Sequence, residues 1–249
     1  MRIILNLNSK DQQLLDINYN YYISAFIYSC LKEINEDMAN KLHNEGFRCN
    51  YKNYKMFTFS NLFFENYKIE KERIIFSGNV KLSISSPFSE FIEYLVKSIL
   101  FKEEIKLGSA KLKVDGISIP PIPEFKERMR FKTISPITMS TALLKEDGRL
   151  LKRDLYIEDE RFIENIRRNV LAKYEIIHKK LPDDIRFDIN FGKNTKGKLI
   201  KYKNGINIKG YLTDCEIIGN PELIEIAYEC GLGDRNSLGF GMIECLGKY

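Results

Sequence analysis

Histidine is the side chain best suited to transferring protons near neutral pH, and this chain of 249 residues contains only two, His43 and His178. His178 lies near the end of a predicted helix and precedes two lysines, where an imidazolium would interact favourably with the helix dipole. His43 also ends a helical stretch, and Gly46 just beyond it is a helix stop signal. Taken alone, each histidine is more typical of a helix end than of a catalytic site.

The segment 231–241, with the sequence GLGDRNSLGFG, is the most specific string in the chain. Its four glycines permit positive φ angles and a close approach of the backbone to a ligand, and Arg235, Asn236 and Ser237 supply hydrogen-bond donors. This combination suits a phosphate group, although no Gly-Lys-Ser/Thr follows as in a nucleotide P-loop. The alternative interpretation is a bulged turn before an edge strand. The glycines are Gly231, Gly233, Gly239 and Gly241.

The charged residues give a mild net charge of +5, which is weak evidence for a nucleic-acid partner, but their distribution is uneven. Between Asp188 and Asp214 the chain has no acidic residue and carries six lysines. This pattern predicts a basic hairpin that either contacts phosphates or is simply solvated. The lysines are Lys193, Lys196, Lys198, Lys201, Lys203 and Lys209.

The composition, with 44% hydrophobic and 29% charged residues, is typical of a globular protein. The five cysteines are scattered and never form a Cys-x-x-Cys pair, so neither a disulfide framework nor a zinc site is predicted. No apolar stretch approaches the roughly 18 residues of a membrane span. We therefore expect a soluble cytoplasmic protein with no membrane partner.

Hydrophobic periodicity predicts the order βαββαβ twice, which is an α+β fold of two tandem ferredoxin-like (RRM-like) domains. The first domain is predicted over residues 1–119, with a helical region at 17–44 and a strand at 73–85. Three prolines within residues 119–123 indicate a linker, placed at residues 120–127. The second domain is predicted over residues 128–249. Its strands are expected at 128–136, 185–191, 206–218 and 239–246, and its helices at 162–177 and 221–230.

The pattern Gly-x-Gly-x5-Gly-x-Gly of segment 231–241 resembles the RAMP proteins of CRISPR systems, and within them the Cas protein six family that cleaves repeat RNA. Three further matches span nearly the whole chain, at residues 57–60, 131–136 and 208–211. The resemblance implies a metal-independent endoribonuclease that cuts CRISPR repeat RNA (pre-crRNA) and uses no cofactor. It also implies other subunits of an interference complex, or a second copy of the chain in a homodimer, as further partners.

The resemblance further implies a catalytic histidine, tyrosine and lysine, because active members of the family place a histidine at the end of the first helical region, a tyrosine earlier in it and a lysine in the following loop. These positions fall on His43, Tyr28 and either Lys52 or Lys55, with Lys52 preferred and Arg48 as a further alternative. Such enzymes use the 2′-OH of the RNA as the nucleophile and leave a 2′,3′-cyclic phosphate and a 5′-OH. Which residue is the acid and which the base is left open.

The spacing between Tyr28 and His43 means that they can share a site only if the first helical region is not one continuous helix. In one continuous helix they would lie more than about 20 Å apart, since each residue adds about 1.5 Å. Asn35, followed by Glu36 and Asp37, is typical of a helix N-cap with an acidic first turn. We therefore predict that the helix breaks at Asn35 and folds back, which would bring Tyr28 and His43 side by side.

Segment 231–241 and the cations Arg128, Arg130, Lys198 and Lys201 are predicted to contact RNA phosphates. On this view, Gly239→Val should damage RNA binding and largely spare the fold. Two other functions remain open. One is a RAMP subunit that binds guide RNA without cutting it, and the other is a regulator that binds proteins or metabolites through the same fold.

Overall fold

The structure, a computed structural model, describes residues 1–144, 148–202 and 205–247. The chain divides into two structural units. One consists of Met1–Ile122 together with Ser237–Gly239, and the other of Pro123–Asn236 together with Phe240–Tyr249. No helix within the described part of the chain is long and apolar enough to cross a membrane.

The first unit is an antiparallel sheet covered by helices. Its strands lie in the order β4-β6-β1-β8-β7, and β5 also pairs with β6. The elements, in chain order, are β1 (Arg2–Asp16), α1 (Asn20–Ile34), α2 (Glu36–Asn44), β2 (Phe47–Cys49), β3 (Lys52–Tyr54), β4 (Thr58–Phe59), β5 (Phe63–Glu70), β6 (Arg73–Ser85), α3 (Ser89–Leu100), β7 (Glu104–Leu107) and β8 (Ala110–Ser118).

The core of the first unit follows from the alternation of side chains along a strand. Ile3, Leu5 and Leu7 of β1 are buried, and the residues between them point to the other face of the sheet. The apolar faces of α1 and α3 pack against this side, where Ile27 and Leu95 are fully buried. This packing fixes α1, and therefore Tyr28, relative to the sheet.

The second unit repeats the architecture with two inserted hairpins. Its four-stranded sheet has the order β12-β15-β9-β16, and the hairpins are β10–β11 and β13–β14. The elements are β9 (Arg128–Thr133), β10 (Ser140–Leu144), β11 (Leu150–Asp154), α4 (Glu160–His178), β12 (Phe187–Phe191), β13 (Lys196–Tyr202), β14 (Ile206–Leu212), β15 (Asp214–Gly219), α5 (Pro221–Cys230) and β16 (Ile243–Cys245). This order of strands is the ferredoxin-like one, so the predicted fold class is confirmed.

Several predicted strands differ in detail from the observed ones. Residues 206–218 form two strands, β14 and β15, because the chain breaks at Thr213, whose N–H donates to the side-chain oxygen of Thr133. The last strand begins only at Ile243, since Gly239 and Gly241 adopt positive φ angles of 82° and 79°. Strand β5 and hairpin β10–β11 were not predicted.

Candidate active site

The predicted break in the first helical region is confirmed. Asn35 is extended (φ −149°, ψ 93°), and its side-chain oxygen accepts a hydrogen bond of 2.9 Å from the N–H of Met38. Its own N–H donates to the carbonyl of Leu31 at 2.8 Å, so one residue ends α1 and caps α2. Glu36 and Asp37 occupy the first turn of α2, where the helix dipole favours negative charge.

The fold-back at Asn35 brings Tyr28 and His43 into contact. Their ring centroids are 4.9 Å apart and the ring planes meet at 83°, which is an edge-to-face arrangement. Tyr28 also packs at 5.7 Å against the fully buried ring of Phe57. His43 is exposed, and its Nδ1 lies 3.1 Å from the side-chain oxygen of Asn44. The imidazole is therefore supported on one side by packed aromatic rings and open to a substrate on the other.

A lysine lies directly at the end of α2. The ammonium of Lys55 donates a hydrogen bond of 2.7 Å to the carbonyl of His43. Burial lowers the pKa of Lys55, and the nearby carboxylate of Glu45 acts in the opposite direction. A cation at this position also satisfies one of the unpaired carbonyls at the helix C-terminus.

Gly46 is what lets Lys55 come so close. It has a φ of +66°, and a Cβ there would lie 2.6 Å from the carbonyl oxygen of Tyr54 and 3.0 Å from Cδ of Lys55. The glycine thus ends α2 and allows the end of β3 to close against it.

The contacts that the structure gives for the other two candidate cations lie within the β2–β3 hairpin. Nζ of Lys52 lies 5.5 Å from the centroid of the Tyr54 ring. Nε of Arg48 donates to the carbonyl of Asn50, in the turn of the β2–β3 hairpin, at 3.4 Å. The contacts therefore favour Lys55 over Lys52 and Arg48 as the cation beside His43.

His178 has the structural surroundings that its position predicts. It is the last residue of α4 and stacks on the ring of Tyr174 at 4.1 Å. The hydroxyl of Tyr174 donates in turn to Glu222 at 2.7 Å. His178 thus packs at a helix end, away from the Tyr28–His43 pair in the sequence and in a different structural unit.

The glycines of segment 231–241 are required by contacts within the protein. A Cβ at Gly233 would lie 2.4 Å from the carbonyl oxygen of Thr138, and one at Gly241 would lie 1.9 Å from that of Leu232. Their φ angles are 71° and 79°. At Gly233 and Gly241, the missing side chain therefore allows neighbouring protein backbone to approach closely.

A buried lysine that sequence reasoning missed holds this segment from inside. Lys173 of α4 is 1% exposed, and its ammonium donates to the carbonyls of Gly231 and Gly233 at 2.6 and 3.3 Å and to the side-chain oxygen of Asn236 at 2.8 Å. The amide of Asn236 donates to two further carbonyls of the segment. Lys173 lies at helical spacing from Ile166 and Val170, so its position on an apolar face was a signal in the sequence.

The side chain of Arg235 is engaged by the protein. Its guanidinium donates to a carboxylate oxygen of Asp154 at 2.7 Å, and only 16% of each side chain is exposed. The neighbouring Asp234 is buried and accepts a hydrogen bond of 2.6 Å from the hydroxyl of Ser140. Ser237 lies in a short 3-10 turn and is half-buried. RNA contacts by residues of this segment stay predictions.

Gly239 requires a correction. It is buried with a φ of +82°, and a Cβ there would lie 2.4 Å from the ring of Phe59 and 2.5 Å from the side-chain nitrogen of Asn20. That nitrogen donates to the carbonyl of Leu238 at 3.0 Å. The expectation that Gly239→Val would spare the fold is therefore wrong, because valine fits neither the space nor the backbone conformation.

The predicted basic hairpin is β13–β14. Lys198 pairs with Gly210 and Lys201 pairs with Asn207, and both lysines are exposed. Because they lie three positions apart on one strand, they point to opposite faces of the hairpin. Lys203 lies outside the described residues.

The two arginines of β9 lie on a face of mixed charge. Arg128 and Arg130 are both exposed, and Arg130 is directly opposite Glu216 of β15. The next residue on that face, Lys132, forms an ion pair of 2.9 Å with Glu244. The face is therefore less positive than the two arginines suggest, and their contact with phosphates stays a prediction.

The fold of two tandem ferredoxin-like units with a glycine-rich segment is that of a RAMP-type protein. Residues 14–118 match the family model described as CRISPR-associated protein Cas6, N-terminal, and residues 120–245 match CRISPR associated protein Cas6, C-terminal. The chain belongs to the Cas6 family.

Individual relatives agree over nearly the full chain. The chain is 35% identical to the CRISPR-associated endoribonuclease Cas6 1 of Methanocaldococcus jannaschii, over 98% of this chain and 92% of that protein. It is 29% identical to an endoribonuclease-like protein named Cas6nc from Pyrococcus horikoshii, over 95% of each chain. A solved structure described as a RAMP protein binding different RNA substrates superposes with a TM-score of 0.87, at 28% identity, over 99% of this chain and all of that one.

Proposed function

We propose that this protein is a metal-independent endoribonuclease that cleaves CRISPR repeat RNA to guide RNAs. The observation that carries the proposal is the contact of 4.9 Å between Tyr28 and His43 across the break at Asn35. It is supported by membership of the Cas6 family and by the similarity to a relative named as an endoribonuclease.

The reaction needs no external nucleophile, because RNA carries one beside each phosphate. The 2′-oxygen forms a bond to the adjacent phosphorus as the bond to the 5′-oxygen of the next nucleotide breaks. The 2′-OH gives up its proton, and the leaving 5′-oxygen receives one, so the products are a 2′,3′-cyclic phosphate and a 5′-OH. His43 carries out one or both proton transfers, and Tyr28 orients the 2′-OH or hydrogen-bonds the phosphate.

The developing charge on the phosphate requires a nearby cation. We assign the role of this cation to Lys55, whose ammonium donates a hydrogen bond to the backbone carbonyl of His43. Lys55 acts as a positioning residue for His43 and contributes positive charge beside it. Lys52 and Arg48 remain the alternatives for the cation.

A second candidate function is binding of guide RNA without cleavage, which is favoured by the similarity to a solved structure described as a RAMP protein binding different RNA substrates. The experiment that separates the candidates is incubation of end-labelled repeat RNA, from the organism that encodes this chain, with the protein in excess EDTA. Cleavage at one position in the repeat supports the endoribonuclease. Retarded but intact RNA supports the binding protein. The absence of both cleavage and retardation favours a regulator that does not act on RNA.

The assignment of the cation predicts different effects for two neighbouring lysines. Lys55→Met should lower the single-turnover cleavage rate by roughly 10- to 100-fold, because it removes a charged hydrogen bond at His43. Lys52→Met removes the same charge three residues earlier, in β3, and should stay within a few-fold of the parental rate. Rates measured with both variants decide the assignment, and the reverse order would identify Lys52 as the cation.

Lysines on the two faces of the β13–β14 hairpin are expected to contribute differently to RNA binding. Lys201 shares a face with Lys209, which pairs with Leu199, whereas Lys198 points the other way. If RNA follows the face of Lys209, Lys201→Glu should weaken RNA binding roughly tenfold at low salt. The slope of log Kd against log salt should fall by the amount expected for about one lost phosphate contact. Lys198→Glu is the matched control. Equal losses in both variants, measured by fluorescence anisotropy, would contradict a one-sided path.

A further inference from the structure

We propose that Tyr156 and Lys209 form a subsite for one nucleotide of single-stranded RNA, with the base stacked on the tyrosine ring and the adjoining phosphate on the ammonium. The inference rests on the proposed RNA-processing function and assigns it a specific contact in the second unit.

The tyrosine is presented to solvent on a fixed backbone. Tyr156 follows β11 and is 53% exposed. The N–H of the preceding, buried Leu155 donates to the carbonyl of Met139 at 2.8 Å, and the carbonyl of Tyr156 accepts from the N–H of Asp159 at 3.1 Å. An aromatic ring held open in this way loses little conformational entropy when a base stacks on it.

Lys209 brings a positive charge to one face of this ring. Its ammonium lies 3.5 Å from the centroid of the Tyr156 ring and 5.7 Å from that of Tyr211. Its backbone N–H donates to a carboxylate oxygen of Asp154 at 3.0 Å. The other oxygen of that carboxylate binds the guanidinium of Arg235, so the negative charge of Asp154 is already neutralised.

Within residues 1–144, 148–202 and 205–247, no carboxylate forms an ion pair with the ammonium of Lys209. A cation that faces only aromatic rings keeps its capacity to bind an anion. The carboxylate of Asp154 meanwhile ties β14, β11 and the glycine-rich segment together, so the positions of ring and cation are fixed by three elements.

An exposed ring beside a cation that lacks a carboxylate partner among the described residues matches the two chemical parts of a nucleotide. Proteins that hold single-stranded RNA combine aromatic platforms for bases with cations for the backbone. Lys201 lies on the same face of the hairpin as Lys209 and extends the positive charge along it. The same pair would not favour a neutral peptide, which offers no phosphate to the ammonium.

The test compares four variants in binding of the organism's repeat RNA by anisotropy over a range of salt concentrations. Tyr156→Ala should weaken binding roughly 5- to 100-fold, as expected for a lost base stack, whereas Tyr156→Phe keeps the ring and should bind within about twofold of the parent. Lys209→Gln should reduce the slope of log Kd against log salt by about 0.7, and Tyr156→Ala should leave that slope unchanged. Tyr67→Ala is the control, since Tyr67 is similarly exposed at 59% but lies in the first unit.

A second readout locates the base. Repeat RNAs with 2-aminopurine at single positions should show one position whose fluorescence is quenched by the parental protein and by Tyr156→Phe but not by Tyr156→Ala. Parental affinity of Tyr156→Ala, with unchanged quenching at every position, would overturn the subsite while leaving the proposed function intact. Failure of the parental protein to bind the repeat would overturn both.

Discussion

Replacing His43 with alanine is expected to slow single-turnover cleavage of repeat RNA by about 10²- to 10⁴-fold, the usual range for a lost general acid or base. The affinity for the repeat should stay within a few-fold, because proton transfer contributes only in the transition state. His43 is exposed at the end of α2, so the truncation leaves no cavity in the core. Quench-flow rates under enzyme excess and a separate binding titration give the two quantities.

Two further variants serve as comparisons for His43. Tyr28→Phe keeps the ring that packs against His43 and Phe57 and removes only the hydroxyl, so a smaller loss of rate is expected. His178→Ala removes the only other histidine, which stacks on Tyr174, and should leave the rate unchanged. A parental rate for His43→Ala would show that the catalytic assignment is wrong.

Replacing Lys173 with methionine is expected to destabilise the protein by about 2–4 kcal/mol, because it leaves buried oxygen acceptors of the glycine-rich segment without a donor. Methionine has a similar length, so the effect reports the lost hydrogen bonds of Gly231, Gly233 and Asn236 more than a change of volume. Urea denaturation followed by circular dichroism measures the change.

The control for this substitution lies on the same helix. Arg168→Met replaces a cation whose side chain is 72% exposed and pairs with Glu164 one turn earlier, so its effect should stay within about 0.5 kcal/mol. Equal stability of Lys173→Met and Arg168→Met would show that the ammonium of Lys173 does not hold the segment.

Those features that depend on local chemistry could be predicted from the sequence. Strand β6 and helix α5 have the predicted bounds. Strand β6 is rich in β-branched and aromatic residues, and Pro221 stands at the start of α5. The break at Asn35 followed from an N-cap residue with an acidic first turn. Each of these signals acts over a few neighbouring residues.

Features that depend on distant partners could not be predicted. The contact of Lys55 with His43 requires the β2–β3 hairpin to close on α2, and no local pattern distinguishes it from Lys52. The role of Gly239 was misjudged for the same reason. Its sequence context shows conformational freedom, but the ring of Phe59 that fills the space beside it is remote along the chain.

The matches at residues 57–60, 131–136 and 208–211 fall mainly on buried positions. Phe57, Phe59, Phe131 and Ile208 are buried core residues. The hydroxyl of Ser135 accepts a hydrogen bond from the N–H of Met242. Much of the resemblance is therefore carried by residues that build the fold, and the site itself contributes few of the matching positions.

In the proposed mechanism, the RNA supplies its own nucleophile to the site at Tyr28 and His43. This mechanism is tested most directly with a repeat RNA that carries a single 2′-deoxy substitution at the nucleotide 5′ to the scissile phosphate, incubated in EDTA beside the all-ribose RNA. We predict that the ribose RNA is cut to a product whose 3′ end has the mass of a 2′,3′-cyclic phosphate, and that the deoxy RNA binds equally well but remains intact. Cleavage of the deoxy RNA at the same position, or a product ending in a 3′-OH, would contradict the mechanism.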